Sequence, residues 1–215
     1  NVWLIARELS VPELFEQIRF QGHPCLWYFL VMPFAKFGLP FRTIGIISTM
    51  VMVLTAWIYL WKGPQWIGIK ALVVFSPVFT YFYPTIARNY CLIALILLLL
   101  AWNYSERNTH PIRYGILLGL LVQADTIAIA PAGMITLIWF AENAYNRVHT
   151  KSMERLGNCL KGIWIPFVSL LFWIVQFYQV SDSPVFEFQK FGVLELLREV
   201  RNYAYIILIR LTGWN

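Results

Sequence analysis

The sequence has little charge for its length. Only 13% of its 215 residues are charged, against roughly 25% in an average soluble domain, whereas 59% are hydrophobic and the mean hydropathy is +0.61. A soluble core of this size could not bury so much apolar surface, which leaves a very apolar soluble all-α domain as the minor alternative. The composition excludes a disordered chain, a collagen and a coiled coil, and it indicates a membrane protein.

Cysteine and the common catalytic motifs are scarce or missing. Cys25, Cys91 and Cys159 lie far apart and form no C-x-x-C pair, so neither a zinc site nor a disulfide framework is indicated. The sequence contains no P-loop, dinucleotide fingerprint, nucleophile elbow or H-E-x-x-H. We therefore predict no metal ligands and no catalysis by those routes.

The charge that is present is mostly basic. Seventeen Lys and Arg against eleven Asp and Glu give a net charge of +6. The basic residues are scattered between apolar runs, as in the loops of membrane proteins, and do not alternate with aromatic residues as in a strand-binding groove. The sequence therefore predicts no nucleic-acid partner.

Seven apolar runs suggest an all-α fold, a polytopic transmembrane helical bundle. We expect one transmembrane domain over 1–215, with about six to seven membrane helices within 24–212. The run 114–141 is too long for one untilted crossing, and we expect either one bent helix or two half-helices that meet at a polar point. The runs are 24–37, 43–61, 67–83, 86–102, 114–141, 162–180 and 203–211.

Residues 1–23 differ from the rest because charged and apolar side chains are mixed there. We expect an outward-facing amphipathic loop on the membrane surface, divided by Pro12 into two short helices. If each later run crosses once, 36–42 lies inside, 62–65 outside, Arg88 near the inside and the basic loop 143–161 inside. The side of Arg88 reverses if the run 67–83 is re-entrant.

Three polar residues lie in or beside apolar runs, where removing a polar side chain from water costs free energy. His23 precedes the first apolar run, Arg88 stands at the mouth of the leucine-rich run, and Asp125 is far from any predicted interface. A membrane-embedded ionisable group suggests a site, and a guanidinium suits phosphate. Each also has a purely structural interpretation. His23 would cap a helix, and Arg88 would anchor the chain to lipid headgroups. Asp125, with Gln123 and Thr126, would hydrogen-bond the free backbone groups of a broken helix.

Three segments resemble the integral-membrane GT-C glycosyltransferases: 3–10 (WLIARELS), 22–28 (GHPCLWY) and 87–90 (ARNY) followed by leucines. The nearest branches are bacterial proteins similar to the protein O-mannosyltransferases and the lipid A aminoarabinose transferase. In that family an outward loop opens with an acidic residue and ends in a His-Pro-Pro-Leu or Lys-Pro-Pro-Leu motif at the next helix. The resemblance extends loosely over 1–145, and Cys25 stands where the family usually has its second proline.

The resemblance implies transfer of a hexose or pentose from a polyprenyl-phosphate carrier to a glycan, lipid or protein acceptor outside the bacterial inner membrane. The lipid-linked sugar is the donor, and a divalent metal is compatible with the family. His23, Arg88 and Arg19 are the implied phosphate-binding candidates, and Tyr90 and Asp125 complete the predicted substrate-binding set.

The implied catalytic base is the acidic residue of the outward loop. It would lie immediately before Asn1, so we expect this chain to be a segment of a longer protein; Glu8 comes too late in the loop to replace it. Two alternatives remain open at this point. One is a transporter that uses Asp125, and the other is a non-catalytic membrane subunit.

Overall fold

The computed structural model describes residues 2–86, 88–150 and 153–177, and these are helical without a β-strand. The predicted run 203–211 and the end of the run 162–180 lie outside the described residues. A π-helical turn at Val78–Phe82 and a 3₁₀ turn at Thr126–Ala128 accompany the α-helices. The α-helices are α1 (Val2–Glu8), α2 (Val11–Ile18), α3 (Cys25–Lys36), α4 (Thr43–Lys62), α5 (Ile67–Val74), α6 (Tyr83–Ile86), α7 (Tyr90–Asn103), α8 (Pro111–Ala124), α9 (Ile129–Thr150) and α10 (Glu154–Phe177).

The amphipathic segment forms two short helices, as predicted, but the break falls before Pro12. Pro12 lies in the first turn of α2, where a missing N–H costs nothing. Ser10 starts that helix: its N–H and its hydroxyl each donate to Glu13 Oε2 at 2.7 Å. These bonds lower the pKa of Glu13. Leu14 and Ile18 are fully buried, so α2 packs its apolar face onto the rest of the chain.

Three helical segments are long and apolar enough to cross a membrane: Thr43–Lys62, Thr126–His149 and Glu154–Phe177. The helices Ile67–Val74 and Val78–Ile86 pass the same test only together, with a bend of 44° between them. Three to four candidate spans are thus present in the described part of the chain, and the larger number of six to seven stays a prediction.

The directions of the central helices follow from contacts at their ends. Trp61 and Trp102, near the ends of α4 and α7, pack edge to face with ring centroids 6.4 Å apart. Asn89, at the start of α7, donates to the carbonyl of Ala124, the last residue of α8. Helix α8 therefore runs antiparallel to α7. We refer to the two ends of the bundle as the Asn89 end and the Trp102 end.

The long run 114–141 breaks at a polar point, in agreement with the second of the two alternatives. The two helices are not in line, however. The indole of Trp139 in α9 donates to Asn108 Oδ1 just before α8, and its ring packs against Tyr114. Helix α9 therefore turns back along α8, and the two form a hairpin with its turn at Asp125.

The structure corrects the prediction that 143–161 is a loop. Helix α9 continues to Thr150 and α10 begins at Glu154, so most of this polar stretch is helical. Its sequence is polar because these helix ends extend beyond the apolar segments, and polarity alone does not end a helix.

Helices α8 and α10 run parallel and form the closest packing in the described chain. A Cβ added to Gly115 would lie 2.2 Å from the Gly162 carbonyl oxygen, and one added to Gly162 would lie 2.4 Å from both the Pro111 carbonyl oxygen and the Trp139 ring. Two glycines thus permit backbone contact, as small residues do between membrane helices.

We predict that Gly162→Val lowers the stability of the protein by about 1–3 kcal/mol, because its side chain would overlap backbone that cannot move aside. The measurement is the midpoint of thermal unfolding in detergent micelles. Gly157→Ala in the same helix is the control: nothing lies within 4 Å of its Cβ, so stability should stay or rise. Equal midpoints for Gly162→Val and the wild type would contradict the close contact.

Candidate functional site

A buried carboxylate occupies the turn between α8 and α9. Asp125 is 2% exposed and has an extended backbone, with φ −160° and ψ 153°. Its Oδ1 accepts the Ile127 N–H at 2.8 Å, which caps the 3₁₀ turn, and its Oδ2 accepts the side-chain N–H of Asn89 at 2.5 Å. Donors of this kind stabilise the ionised form of a carboxyl group.

Asn89 connects two elements at this point. It is 2% exposed, and its Nδ2 donates both to Asp125 and to the Ala124 carbonyl at 2.7 Å. Because Asn89 precedes α7 directly, these bonds fix the start of α7 and Arg88 before it against the α8–α9 turn. The sequence reasoning overlooked Asn89; the signal was a polar amide next to Arg88 at the start of an apolar helix.

The loop before α3 reaches the same turn. His23 Nδ1 lies 3.4 Å from Asp125 Oδ2, and Thr126 Oγ1 donates to the Gly22 carbonyl at 2.9 Å. Gly22 has φ +70°, a conformation that glycine adopts without strain. The His23 side chain is 29% exposed, so one edge of the imidazole faces Asp125 and another part of it is open.

An open pocket of about 380 Å³ lies in front of these residues. Its polar wall consists of Gln21, His23, Arg88 and Asn89. Arg88 is exposed, and no carboxylate in the described chain forms an ion pair with it. Arg88 is also the only Lys or Arg among the described residues that line the pocket.

The remaining wall of the pocket is apolar and comes from four separate segments. Its volume is at the small end of the range for ligand sites, which combine apolar walls with a few placed polar groups. The apolar lining residues are Val2, Trp27, Phe41, Ile44 and Ile86.

Helix α3 corrects the predicted membrane crossing of 24–37. Its twelve residues span about 18 Å, less than the roughly 30 Å hydrocarbon core. Trp27 at its start and Phe41 after its end line the same pocket. The chain therefore returns after α3 to the end it left, and 36–42 does not lie opposite 1–23.

The side of Arg88, which the sequence left open, follows from the position of the short helix α3. Arg88 lines one pocket with His23, so both lie at the Asn89 end of the bundle. Lys62 is at the other end, with its ammonium 3.9 Å from the Trp61 ring centroid and 5.1 Å from that of Trp102. The bent segment α5–α6 returns the chain from Lys62 to Arg88, so it is the short α3 that places Arg88 at the same end as His23, in agreement with the reversed side that the sequence had left open.

The predicted binding residues are thus brought together in part. His23 and Arg88 share the pocket, and Asp125 lies behind His23. Tyr90 and Arg19 are not among the lining residues; Tyr90 packs against Tyr83 with ring centroids 6.3 Å apart. No group of three His, Cys, Asp or Glu side chains in the described ranges is placed to hold a metal ion.

A second buried polar cluster anchors the start of α3. Gln176 Nε2 donates to Gln123 Oε1 at 2.7 Å, and Gln123 Nε2 donates to the Ser169 carbonyl at 2.8 Å. Gln176 Oε1 in turn accepts the Cys25 N–H at 3.1 Å. A proline at position 25 would have no N–H to give, so the hydrogen bond to Gln176 depends on the residue being other than proline.

Comparison with known proteins adds no relative: no protein family, curated protein or solved structure matches this chain.

We predict that Cys25→Pro lowers the stability of the protein by about 1–3 kcal/mol, because Gln176 Oε1 would stay buried without its donor. The backbone itself should accept proline, since Cys25 is the first residue of α3. Cys25→Ala keeps the N–H and should cost much less. Thermal unfolding of the two variants makes the comparison, and a proline variant as stable as the alanine variant would show that the bond contributes nothing.

Proposed function

We propose that this protein is a multi-pass membrane glycosyltransferase of the GT-C type, which moves a sugar from a polyprenyl-phosphate carrier to an acceptor outside the bacterial inner membrane. The observation that carries the proposal is the pocket in which Arg88 and His23 meet an apolar wall. The resemblance of 22–28 and 87–90 to that family predicted these two residues from distant parts of the sequence, and both line this pocket.

The pocket has the chemistry of an amphiphilic anion site. A guanidinium binds phosphate oxygens through paired N–H groups, and Arg88 is exposed without a carboxylate partner among the described side chains. Trp27, Phe41 and Ile86 give the same pocket an apolar surface suited to the first isoprene units of a lipid carrier.

The surroundings of the pocket support a lipid-linked substrate. Large apolar side chains on the long helices are exposed, including Trp57, Leu137 and Val175, which are 57%, 63% and 63% exposed. Side chains of this kind are typical of a lipid-facing surface. A carrier dissolved in the membrane would reach the pocket along such a surface.

Charge supports the orientation in which the pocket faces outward. The basic residues Arg147, Arg155 and Lys161 lie in the helical hairpin α9–α10 at the Trp102 end, away from the pocket. Under the positive-inside rule this end is cytoplasmic. The pocket and the amphipathic helices α1 and α2 then lie on the opposite side, where a carrier-linked sugar is transferred.

We predict that Arg88→Ala weakens binding of decaprenyl phosphate by about 10- to 100-fold, the equivalent of one charge-assisted hydrogen-bond partner. Binding is measured with the full-length protein in lipid nanodiscs. Decaprenol, which lacks the phosphate, should bind weakly to both the wild type and the variant. Arg88→Lys should retain part of the affinity, because a lysine keeps the charge but not the paired donors.

Arg147→Ala is the matched control, since Arg147 is exposed near the end of α9 and outside the pocket lining. It should bind decaprenyl phosphate like the wild type. Two results would contradict the assignment of Arg88 as the phosphate-binding residue. One is a wild-type protein that binds decaprenol more tightly than decaprenyl phosphate, and the other is an equal loss of affinity in Arg88→Ala and Arg147→Ala.

A further inference from the structure

The side chain of Arg88 reaches the pocket without an ion pair to hold it. It is exposed, and none of the ion pairs between described residues includes it. A free arginine side chain samples many rotamers, whereas a guanidinium that binds phosphate through two N–H groups must be held in one orientation. The place of Arg88 in the pocket therefore depends on how firmly its backbone is held.

The backbone of Arg88 is held through the next residue along the chain. The side-chain amide of Asn89 donates to the Ala124 carbonyl at 2.7 Å and to Asp125 Oδ2 at 2.5 Å. The carboxylate of Asp125 is fixed in turn, because its Oδ1 accepts the Ile127 N–H at 2.8 Å. These three hydrogen bonds attach the residue that follows Arg88 to the turn between α8 and α9.

A further contact reaches Arg88 itself. The thiol of Cys91, which is fully buried in the first turn of α7, donates to the Arg88 carbonyl at 3.3 Å. The peptide group that joins Arg88 to Asn89 is therefore held at its oxygen, next to the anchored Asn89 side chain. The pocket wall thus offers a fixed base from which the guanidinium extends.

We propose that Asn89 and Asp125 are positioning residues, which hold Arg88 so that its guanidinium faces the bound phosphate, and that neither side chain binds the phosphate itself. The inference rests on the proposed function, because it names what orients the cation of that site. It also changes the role of Asp125, which was expected among the substrate-binding residues.

The hydrogen bonds of Asn89 argue against direct binding of phosphate by its side chain. Asn89 lines the pocket, but the two N–H groups of its amide are both used, one on Ala124 and one on Asp125. The polar atom that remains is the amide oxygen, which accepts hydrogen bonds and has none to donate to a phosphate. The side chain therefore acts on the phosphate through the residue that it holds in place.

Asp125 lies behind the wall of the pocket. It is 2% exposed and absent from the lining, and a carboxylate repels a phosphate. A charged acceptor makes a stronger hydrogen bond than a neutral one, so Asp125 holds the Asn89 amide more firmly than a carbonyl alone would. The negative charge thus supports the site from behind, at one remove from the anion.

The inference is tested with the full-length protein in lipid nanodiscs, through binding of decaprenyl phosphate and of decaprenol. Asn89→Ala should weaken binding of decaprenyl phosphate by about 5- to 20-fold, because the guanidinium is still present but no longer held in place. Binding of decaprenol, which has no phosphate, should stay as in the wild type.

A double-variant cycle shows whether Asn89 acts through Arg88. In an Arg88→Ala background, Asn89→Ala should lower the affinity for decaprenyl phosphate little further, because the group that it positions is already gone. A loss of packing alone would instead weaken binding by the same factor in both backgrounds.

A second variant guards against loss of folding. Asn89→Ala leaves the buried Asp125 carboxylate with one donor fewer, which lowers stability. In Asn89→Ala/Asp125→Asn that charge is gone, and the new amide oxygen can still accept the Ile127 N–H. This variant should show the same loss of decaprenyl phosphate binding as Asn89→Ala.

Asn103→Ala is the matched control. Asn103 is a buried amide near the other end of α7, and it donates to the Leu99 carbonyl at 2.7 Å. Its replacement removes a comparable hydrogen bond from the same helix, far from the pocket. It should bind decaprenyl phosphate like the wild type.

Wild-type affinity for decaprenyl phosphate in both Asn89 variants overturns the inference. So does a loss that is fully additive with Arg88→Ala, an equal loss in Asn103→Ala, or a parallel loss of decaprenol binding. Wild-type affinity in Arg88→Ala, or a wild-type protein that does not prefer decaprenyl phosphate to decaprenol, contradicts the proposed function itself.

Discussion

The need to satisfy one buried carboxylate organises this fold. An ionised group removed from water is costly unless donors or an opposite charge surround it. Asp125 meets this condition by accepting the N–H of Ile127 and the side-chain N–H of Asn89, and the imidazole of His23 lies beside it, with Nδ1 3.4 Å from Oδ2. These partners come from the α8–α9 turn, the start of α7 and the loop before α3. Satisfying the carboxylate therefore draws three distant parts of the chain to one point.

The same condition explains why the site lies at the end of the bundle. Helix ends leave backbone groups without intrahelical partners, and at the end of α8 Asn89 and Thr126 compensate by bonding the carbonyls of Ala124 and Gly22. Behind this layer, Gln123 and Gln176 tie α8 and α10 to the start of α3. The functional groups thus stand on helix ends fixed by hydrogen bonds, a rigid support that a precise site needs.

The sequence predicted the lengths of helices and the polar groups that are costly to bury, but it predicted the directions in which the helices run less well. The apolar run 43–61 predicted α4 almost to the residue, because hydrophobic length is local information. Asp125 and Arg88 were recognised because polarity in an apolar setting is expensive. Asn89, the partner of Asp125, was missed, and the side of Arg88 stayed open, since the bend in α5–α6 and the short α3 depend on tertiary contacts. Pattern analysis identifies a group that needs a partner without identifying the partner.

The charge inside the pocket bears on the class of donor in the proposed function. A sugar on a polyprenyl phosphate carries one negative charge, on its phosphodiester, whereas a nucleotide diphosphate sugar carries two and a polar base. The described lining offers a single permanent cation, Arg88, and its other walls are aromatic or aliphatic apart from His23, Gln21 and Asn89. A second phosphate would be desolvated without a matching guanidinium, at a cost that apolar contacts do not repay. The balance of one cation against one phosphodiester therefore supports the lipid-linked donor of the proposed function.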